Sequence, residues 1–506
     1  MNINIYKRLL SPALLLCFLF AGSGFRAQIL TSSPYSRYGI GEMNTSNFSH
    51  LNAMGGSFSA YQCDTAAPYF INIGNPASLS GLKFSTFEVG GQAQFTRIIS
   101  ATDNLKKTNI NFSYGSLGVP LKHFGGMAFG IMPYSTVGYK ITSFTTDPYI
   151  GTVKYVYNGD GGFNRAFLAT GIKPFRNRLA NFYKSTLYDS LIRHSNYNNI
   201  QRLRHIKFRK ELLSELSVGV CGNYMFGSSN QTTDAIYPGS ITWYNVRRQR
   251  QAHISDVSFN AGIQTDFTIS KVKEKQKIDI KDSLNNVIGQ RDTVVFRTLK
   301  HKVKFAFGAY ANLPTLLNGT QNDIIYTYSL DGFGNELPLD TVLNSSGIKG
   351  TIRIPLEIGG GFSVKKGEKL TVLVDGGVTN WNQFRYFDTR NTFKNSYRVS
   401  TGLNYVPNKF AIRGLTYLQR VQYRVGFTYS NGYLDLKNSL ISNYAITAGL
   451  GLPVGIGLRD DIAVVNLSAQ FGTMGTTANS LLKENYIRVI VGFSFNKRWF
   501  IKYKYD

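Results

Sequence analysis

The feature that most constrains this fold is a change of residue pattern between residues 52 and 96. Up to Leu82 the stretch is rich in small residues, Gly and Pro, whereas from Phe87 onwards apolar and polar residues alternate strictly. Successive side chains of a β-strand point to opposite faces, so the alternating part predicts a strand. Such strands suit a sheet with lipid on one side and water on the other. The two faces of this strand consist of Phe87, Val89, Gly91, Ala93 and Phe95, and of Glu88, Gly90, Gln92, Gln94 and Thr96.

The same alternation recurs along the chain. No apolar run after residue 30 approaches the roughly 20 residues of a membrane helix. A chain that spans a bilayer without such helices must form a closed barrel, because every backbone polar group needs an internal partner. We therefore predict an all-β fold: a transmembrane antiparallel β-barrel of about fourteen to sixteen strands, with an N-terminal plug inside the lumen. The later predicted strands lie at 110–119, 127–140, 153–157, 163–172, 216–226, 257–269, 303–311, 352–364, 370–379, 397–405, 422–430, 444–452, 461–471 and 486–495.

Three local signals refine this prediction. Pro133 lies inside a predicted strand and indicates a bulge or an edge, because proline cannot donate to the ladder. The sequence Asn-Gly-Asp-Gly-Gly at 158–162 favours a tight turn over a calcium loop, since it lacks further acidic ligands. Aromatic residues with a period of two at 499–505 predict a final strand that seals the barrel against the first one.

The N-terminus has the order of charged, apolar and small residues that is typical of a secretory signal peptide. Lys7 and Arg8 precede a largely apolar run, and cleavage is expected after Ala27 or, alternatively, after Gly24. We expect a signal peptide, a plug, and a barrel in the cell outer membrane that carries long basic loops. The expected ranges are 1–27, 28–83 and 84–506, with the loops at 176–210 and 271–302.

The chain contains three cysteines. Cys17 lies deep in the apolar run of the signal peptide, so it is not expected to direct lipoprotein processing. Cys63 in the plug and Cys221 on the lumen face of a predicted strand form a candidate disulfide, because an exported compartment permits one. Two unpaired thiols are the alternative.

Two groups of residues together resemble the signature of the FadL/TodX family of outer-membrane transport proteins. The first is a segment of small residues that ends in an Asn-Pro-Ala box. The second fits that family's order of a Pro-containing strand, an Asp-bearing strand and a Trp beyond it. The matching positions are Gly55, Gly56, Asn75, Pro76 and Ala77, and Pro355, Asp375 and Trp381.

The resemblance implies a fourteen-stranded barrel that is closed by a plug and passes hydrophobic small molecules, which leave sideways into the bilayer. Within such a design the Asn75-Pro76-Ala77 motif would fix the turn from plug to first strand, since Pro sets φ and Asn can bond its own backbone. A plug anchor and a gate look the same in sequence, so both roles stay open for this motif.

The net charge of +27 is concentrated in the two long basic loops. Counting strands from a periplasmic start places both loops on the outer face, where lipopolysaccharide would complement them. The alternatives are a surface that binds an acidic partner and plainly solvated loops. Nucleic acid is excluded as a partner, because the chain is exported and has no recognition motif. The expected lipopolysaccharide contacts are Arg202, Arg204, Lys207, Arg209 and Lys210.

No motif of enzyme chemistry, of a metal site or of a cofactor site is found, so we expect no catalytic residues, no metal and no cofactor. Two main functions stay open. One is passive transport of hydrophobic small molecules, which a dry lumen lined with Phe and Leu would favour. The other is a non-transporting barrel that acts as a subunit of a larger envelope secretion or assembly complex, as some FadL-like barrels do in type IX secretion.

Overall fold

The computed structural model describes most of the chain after residue 32. The described ranges are 33–44, 48–62, 70–121, 124–176, 197–237, 243–281, 287–331, 333–387, 389–390, 393–409, 417–454 and 462–497, with positions 181, 185 and 190. Sixteen long strands lie within them: β1 Ser85–Ile99, β2 Asn104–Pro120, β3 Gly125–Asp147, β4 Gly151–Ile172, β5 Ser217–Ile236, β6 Asn245–Lys281, β7 Val287–Asn312, β8 Thr315–Leu330, β9 Glu336–Ile354, β10 Glu357–Lys366, β11 Leu370–Thr379, β12 Ser396–Tyr405, β13 Gln422–Ser430, β14 Asn443–Val454, β15 Ile462–Gly475 and β16 Lys483–Lys497.

The shorter elements lie before, between and beside these strands. The helices are α1 Ser49–Asn52, α2 Tyr197–Ser214 and α3 Tyr417–Arg420, with 3-10 helices at Pro34–Arg37, Pro76–Gly81, Trp381–Gln383 and Ala478–Ser480. Two-residue strands lie at Glu42–Met43, Arg385–Tyr386, Thr389–Arg390, Asp435–Leu436 and Ser439–Leu440. In the part of the chain that is described, no helix is long and apolar enough to cross a membrane.

Fourteen of the long strands close into an antiparallel barrel. Strands β1 to β7 pair in chain order, β7 pairs with β10 through 303–312, and β10 to β16 continue the circle. The last strand then pairs with the first along its whole length, from Ser85 opposite Lys497 to Ile99 opposite Lys483. This confirms the predicted barrel. The strand that seals it is β16, while the expected strand at 498–506 lies outside the described residues.

The barrel has an inner end, where β1 begins and β16 ends, and an opposite outer end. Strands β3 to β7 are much longer than β10 to β13, so one side of the wall is extended. At the outer end the β8–β9 hairpin joins this extension, because β8 pairs with residues 245–254 of β6. We call the β8–β9 hairpin together with residues 245–254 the outer sheet.

The alternation of faces predicted from the sequence is confirmed. Phe87 and Phe95 on β1 are exposed, whereas Glu88 between them is fully buried in the lumen. On β6 the apolar Phe259 is 55% exposed, while the neighbouring Asn260 is 6% exposed. Apolar side chains outside and polar side chains inside are the pattern of a transmembrane barrel.

Two predictions of local structure have different outcomes. The bulge at Pro133 is confirmed, because the register of β3 against β4 shifts between Pro133 and Ser135. The turn at 158–162 is wrong: these residues lie inside the continuous strand β4, where Gly161 and Gly162 have positive φ values of 108° and 152°. Glycine allows such φ values within a strand, so these glycines continue the strand and do not end it.

This correction changes the end of the barrel at which the two predicted basic loops lie. With 151–172 as one strand, the connection at 173–216 follows the fourth strand. The second predicted loop, 271–302, is wrong as a loop in its described part, because residues 271–281 continue β6 and residues 287–302 belong to β7, at the end of the sixth strand. Both therefore lie at the inner end, where β1 begins, so their placement on the outer face is wrong. The expected contacts of Arg202, Arg204, Lys207, Arg209 and Lys210 with lipopolysaccharide lose their basis.

Candidate functional site: a plugged lumen and a gap in its wall

The described residues before β1 lie inside the barrel, and we call residues 33–84 the plug. Helix α1 packs against β14, β15 and β16, and the 3-10 helix at Pro76–Gly81 packs against β3 to β6 on the other side. Plug side chains dominate the largest buried apolar cluster, together with wall residues such as Tyr114, Phe167 and Tyr310. The plug is therefore packed against the wall on both sides of the lumen.

The Asn75-Pro76-Ala77 motif ties the plug to two neighbouring strands. The Asn75 side chain accepts a hydrogen bond from the Ala77 N–H at 3.2 Å, which caps the 3-10 helix that begins at Pro76. Its Nδ2 donates to the carbonyls of Ile263 at 3.2 Å and Ala309 at 3.3 Å. The local cap follows from the sequence, whereas the bonds to β6 and β7 depend on the folded barrel.

Asp375 holds the middle of the plug. This residue lies on β11, is 3% exposed, and its Oδ2 accepts hydrogen bonds from the backbone N–H groups of Phe58 at 2.6 Å and Ser59 at 2.7 Å. Hydrogen bonds to a charged acceptor are stronger than neutral ones. The resemblance pointed to Asp375, but only the structure shows that it binds plug backbone.

The other family-pattern positions serve close packing. Gly55 has φ of +67°, and its N–H donates to Thr447 Oγ1 at 2.9 Å. Gly56 also has positive φ, at +74°. Trp381 stacks on Tyr433 with ring centroids 4.2 Å apart, and Pro355 lies in the break between β9 and β10.

Glycines of the wall provide the space for the plug. A methyl group at any of them would come within 1.9 to 3.0 Å of a plug atom, which is closer than van der Waals contact allows. A close approach of two backbones is a common reason for glycine within a strand. These wall glycines are Gly118, Gly126, Gly171, Gly219, Gly262, Gly308, Gly402, Gly426 and Gly449.

A cavity of about 330 Å³ lies inside the barrel, lined by plug and wall residues. Its lining is mixed, and does not match a lumen lined with Phe and Leu. Arg398 donates to the Tyr310 hydroxyl at 3.2 Å, and that hydroxyl donates to Glu357 at 3.0 Å. Arg165 reaches Met132 Sδ at 3.2 Å, while its buried Nε has no partner among the described residues. Apolar and aromatic lining side chains include Phe48, Leu51, Phe58, Tyr134, Met225 and Trp381.

The barrel wall is open beside this cavity. Strands β2 and β3 pair only through Gly115–Pro120 with Gly126–Ile131. Towards the outer end, among the described residues, that side of β3 pairs only with the plug residues Glu42 and Met43, which lie opposite Thr136 and Ser135. This short plug segment therefore lies between the cavity and the gap.

The same plug segment is fixed by a few polar contacts. The Asn44 N–H donates to the Tyr134 carbonyl at 3.0 Å, and the Ser135 hydroxyl donates to the Ile40 carbonyl at 2.8 Å. Glu42 also forms an ion pair with Arg488 at 3.4 Å. These contacts join the plug segment to β3 on one side and to β16 on the other.

The outer sheet is the second notable feature. From Glu336 to Lys349 almost every residue of β9 is exposed, so both faces of the strand are open. One side of β9 pairs with β8, and the other side pairs, in the described residues, only through Ile352 and Arg353 with a two-residue strand. The remaining side of β9 is a sheet edge.

The tip of this hairpin is well ordered by polar contacts. Asp331 accepts hydrogen bonds from Asn335 Nδ2 at 2.9 Å, from the Asn335 N–H at 2.7 Å and from the Phe333 N–H at 2.9 Å. The Asn335 contacts hold the pKa of the Asp331 carboxyl below its usual range. Phe333 itself is 95% exposed at the tip, so a large aromatic side chain points into water.

The described residues bear on the cysteine and metal predictions only in part. Cys221 is buried on the lumen face of β5, as its position in the alternation predicted. Cys63 lies outside the described residues, so the disulfide stays a prediction. Within the described ranges, no cluster of three His, Cys, Asp or Glu side chains could hold a metal ion.

Comparison with known proteins identifies the family. The sequence model of the BamG family matches residues 7–180 and 293–506. This chain belongs to the BamG family. No curated protein matches this BamG-family chain.

Several solved structures are similar to this BamG-family chain. The toluene transporter TbuX of Ralstonia pickettii is 12% identical, with 90% of this chain and 99% of that chain covered and a TM-score of 0.46. The toluene transporter TodX of Pseudomonas putida is 15% identical, with 91% and 100% covered and a TM-score of 0.45. A FadL homologue of Pseudomonas aeruginosa is 12% identical, with 94% and 100% covered and a TM-score of 0.44. The closed antiparallel barrel of this BamG-family chain has the β-barrel fold that its sequence predicted.

Proposed function

We propose that this BamG-family barrel is a subunit of a larger outer-membrane protein complex and that it binds a partner protein through the outer sheet. The observation that carries the proposal is strand β9, which has two exposed faces and an unpaired edge. It lies beyond the apolar band of the wall, because the lipid-facing residues of β6 begin at Val257 and the hairpin pairs with residues 245–254.

The apolar content of the outer sheet supports a protein partner. Exposed apolar patches on an otherwise polar surface mark interaction sites, and a long exposed edge strand is a liability that proteins normally cover. Val342 is 66% exposed, and its strand is anchored, because Arg247 forms ion pairs with both Asp234 of β5 and Glu336 of β9. The exposed apolar residues of β9 are Leu337, Leu339, Val342, Leu343 and Ile348.

The lumen supports the same proposal. The plug is packed against wall glycines and hydrogen-bonded through Asn75 and Asp375, so the barrel resembles a rigid scaffold more than an open channel. The cavity carries Arg165, Arg398 and Glu357 among its lining residues, and charged side chains do not favour a conduit for apolar solutes.

The test compares two exposed leucines at the outer end. Leu337→Asp places a charge on the outer sheet, whereas Leu440→Asp places the same charge on a separate outer loop where Leu440 is also exposed. We expect Leu337→Asp to release the barrel from its native complex in blue-native electrophoresis, and Leu440→Asp to leave the complex intact. If both variants migrate with the wild type in the large complex, the outer sheet is not the interface.

Passage of hydrophobic small molecules is the second candidate, favoured by the gap between β2 and β3. A solute in the cavity would reach the bilayer sideways if the plug segment at Glu42–Met43 moved away from β3. Glu42 and Thr136 are register partners, so Glu42→Cys with Thr136→Cys would lock the segment. Uptake of an apolar probe that stops on oxidation and returns on reduction would support transport, and uptake that ignores the lock would argue against this route.

A further inference from the structure

Helix α2 lies on the outside of the barrel wall. The Thr265 hydroxyl donates to the Leu212 carbonyl at 3.0 Å, and the rings of Phe208 and Phe267 are 5.8 Å apart. Thr265 and Phe267 share the outward parity of β6 with Phe259, whose side chain faces lipid. The helix therefore packs on the lipid-facing side of β6, near the inner end.

Aromatic residues mark the level of the helix in the membrane. Phe267 stacks on Phe305 with ring centroids 5.3 Å apart and lies 6.3 Å from Phe307. Aromatic girdles lie at the two membrane–water interfaces of outer-membrane barrels. Phe208 of α2 adds to this group and is 50% exposed. The helix thus lies at the interface of the inner end.

The helix also carries a strong positive charge. The connection at 173–216 contains ten Lys and Arg residues against three Asp and Glu residues, and Arg202, Lys207 and Arg209 of α2 are exposed. Three connections of the outer end, at 148–150, 237–244 and 476–482, contain no charged residue. The connection at 173–216 is therefore much more basic than these three outer connections, and its helix lies at the same level as the aromatic group.

We propose that α2 is an interfacial helix that binds the phosphates of anionic phospholipids in the inner leaflet of the outer membrane. Arg202, Lys207 and Arg209 would contact the headgroups while Phe208 enters the acyl boundary, which is the arrangement of basic interfacial helices. The BamG family model does not match residues 181–292, so the helix is not part of what defines that family here. The proposal takes the inner end as the periplasmic one and does not depend on the proposed function.

Lipid retention tests the charge. The full-length barrel is placed in nanodiscs of equal phosphatidylglycerol and phosphatidylethanolamine, and native mass spectrometry counts the lipids that stay bound. We expect enrichment of phosphatidylglycerol that falls several-fold in the variant Arg202→Gln/Lys207→Gln/Arg209→Gln. The matched control neutralises three exposed lysines towards the outer end, Lys106, Lys107 and Lys349. Equal retention of phosphatidylglycerol in all three proteins would overturn the proposal.

Depth measurement tests the position independently of charge. A Phe208→Cys variant carries an NBD dye, with Lys437→Cys in an outer loop as the control. We expect emission from residue 208 to be blue-shifted and quenched by spin-labelled phospholipids, and emission from residue 437 to match that of the dye in water. An unquenched, water-like signal from residue 208 would show that α2 does not lie at the membrane surface.

Discussion

Asp375→Ala is predicted to loosen the plug from the barrel wall. The substitution removes the acceptor of two buried N–H groups, those of Phe58 and Ser59. Hydrogen bonds to a charged group contribute about 1.5–3 kcal/mol each, so the loss is about 3–6 kcal/mol. Asp375→Asn keeps an acceptor oxygen for both N–H groups but removes the charge, and neutral hydrogen bonds are roughly half as strong, so it should cost roughly half of that. Ser363→Ala removes one neutral bond, to the Ala60 carbonyl at 3.1 Å, and should cost about 1 kcal/mol.

Two assays separate plug loss from barrel damage. Thermal unfolding in detergent measures the stability of each variant, and conductance in planar bilayers measures opening of the lumen. We expect the size of the effect in both assays to decrease in the order Asp375→Ala, Asp375→Asn, Ser363→Ala. In each variant the barrel stays folded and conducts only when the plug is released. A silent Asp375→Ala channel with the unfolding midpoint of the wild type would refute the role of this carboxylate.

Three further predictions follow from the wall and the outer sheet. Phe259→Arg should cost about 2–4 kcal/mol at mid-bilayer in equilibrium unfolding into lipid vesicles, while Ser258→Arg, which faces the cavity, should cost less; equal costs would contradict the assigned faces. Gly308→Val should prevent the plug from seating, because a methyl group alone would approach the Ser59 carbonyl to 1.9 Å; it should therefore raise conductance, and a closed channel would be the contrary result. Arg247→Ala should expose the β8–β9 hairpin to proteolysis, since both of its ion pairs are lost; unchanged protection would show that they do not anchor the hairpin.

The elements predicted well from sequence are those whose signal is local. Strand β11 at Leu370–Thr379 and strand β13 at Gln422–Ser430 have the bounds that their alternation gave. The bulge at Pro133 follows from one missing N–H group. The alternation of these two strands reflects which face meets lipid, and a few consecutive residues are enough to reveal it.

The errors arose where a local signal had a second physical explanation. Glycines at 158–162 are typical of a turn, but here two of them adopt positive φ within the continuous strand β4. The one turn predicted in excess placed the basic loops at the wrong end of the barrel. The strand predicted at 352–364 is divided at Pro355 into β9 and β10. The β8–β9 hairpin was missed, because three register shifts between its strands break the alternation of β9.

The contacts of the plug lie beyond sequence reasoning of this kind. Asp375 and Ser59 are 316 positions apart, and Asn75 and Ala309 are 234 apart, so no pattern within a strand reports their contact. The resemblance to FadL/TodX proteins pointed to Asp375 and to the Asn-Pro-Ala box, but gave them no partners. The one sequence signal for close packing of the plug against the wall was the recurrence of glycine on the lumen faces of many strands.

The most direct test of the proposed subunit role is gentle detergent extraction of the native outer membrane with an affinity tag on this barrel, followed by mass spectrometry of co-purifying proteins and bound small molecules. The proposal predicts large partner proteins in fixed stoichiometry, lost in Leu337→Asp and retained in Leu440→Asp, and no apolar ligand in the cavity. A lone barrel that carries a fatty acid or another apolar compound would contradict it and would favour transport through the gap between β2 and β3.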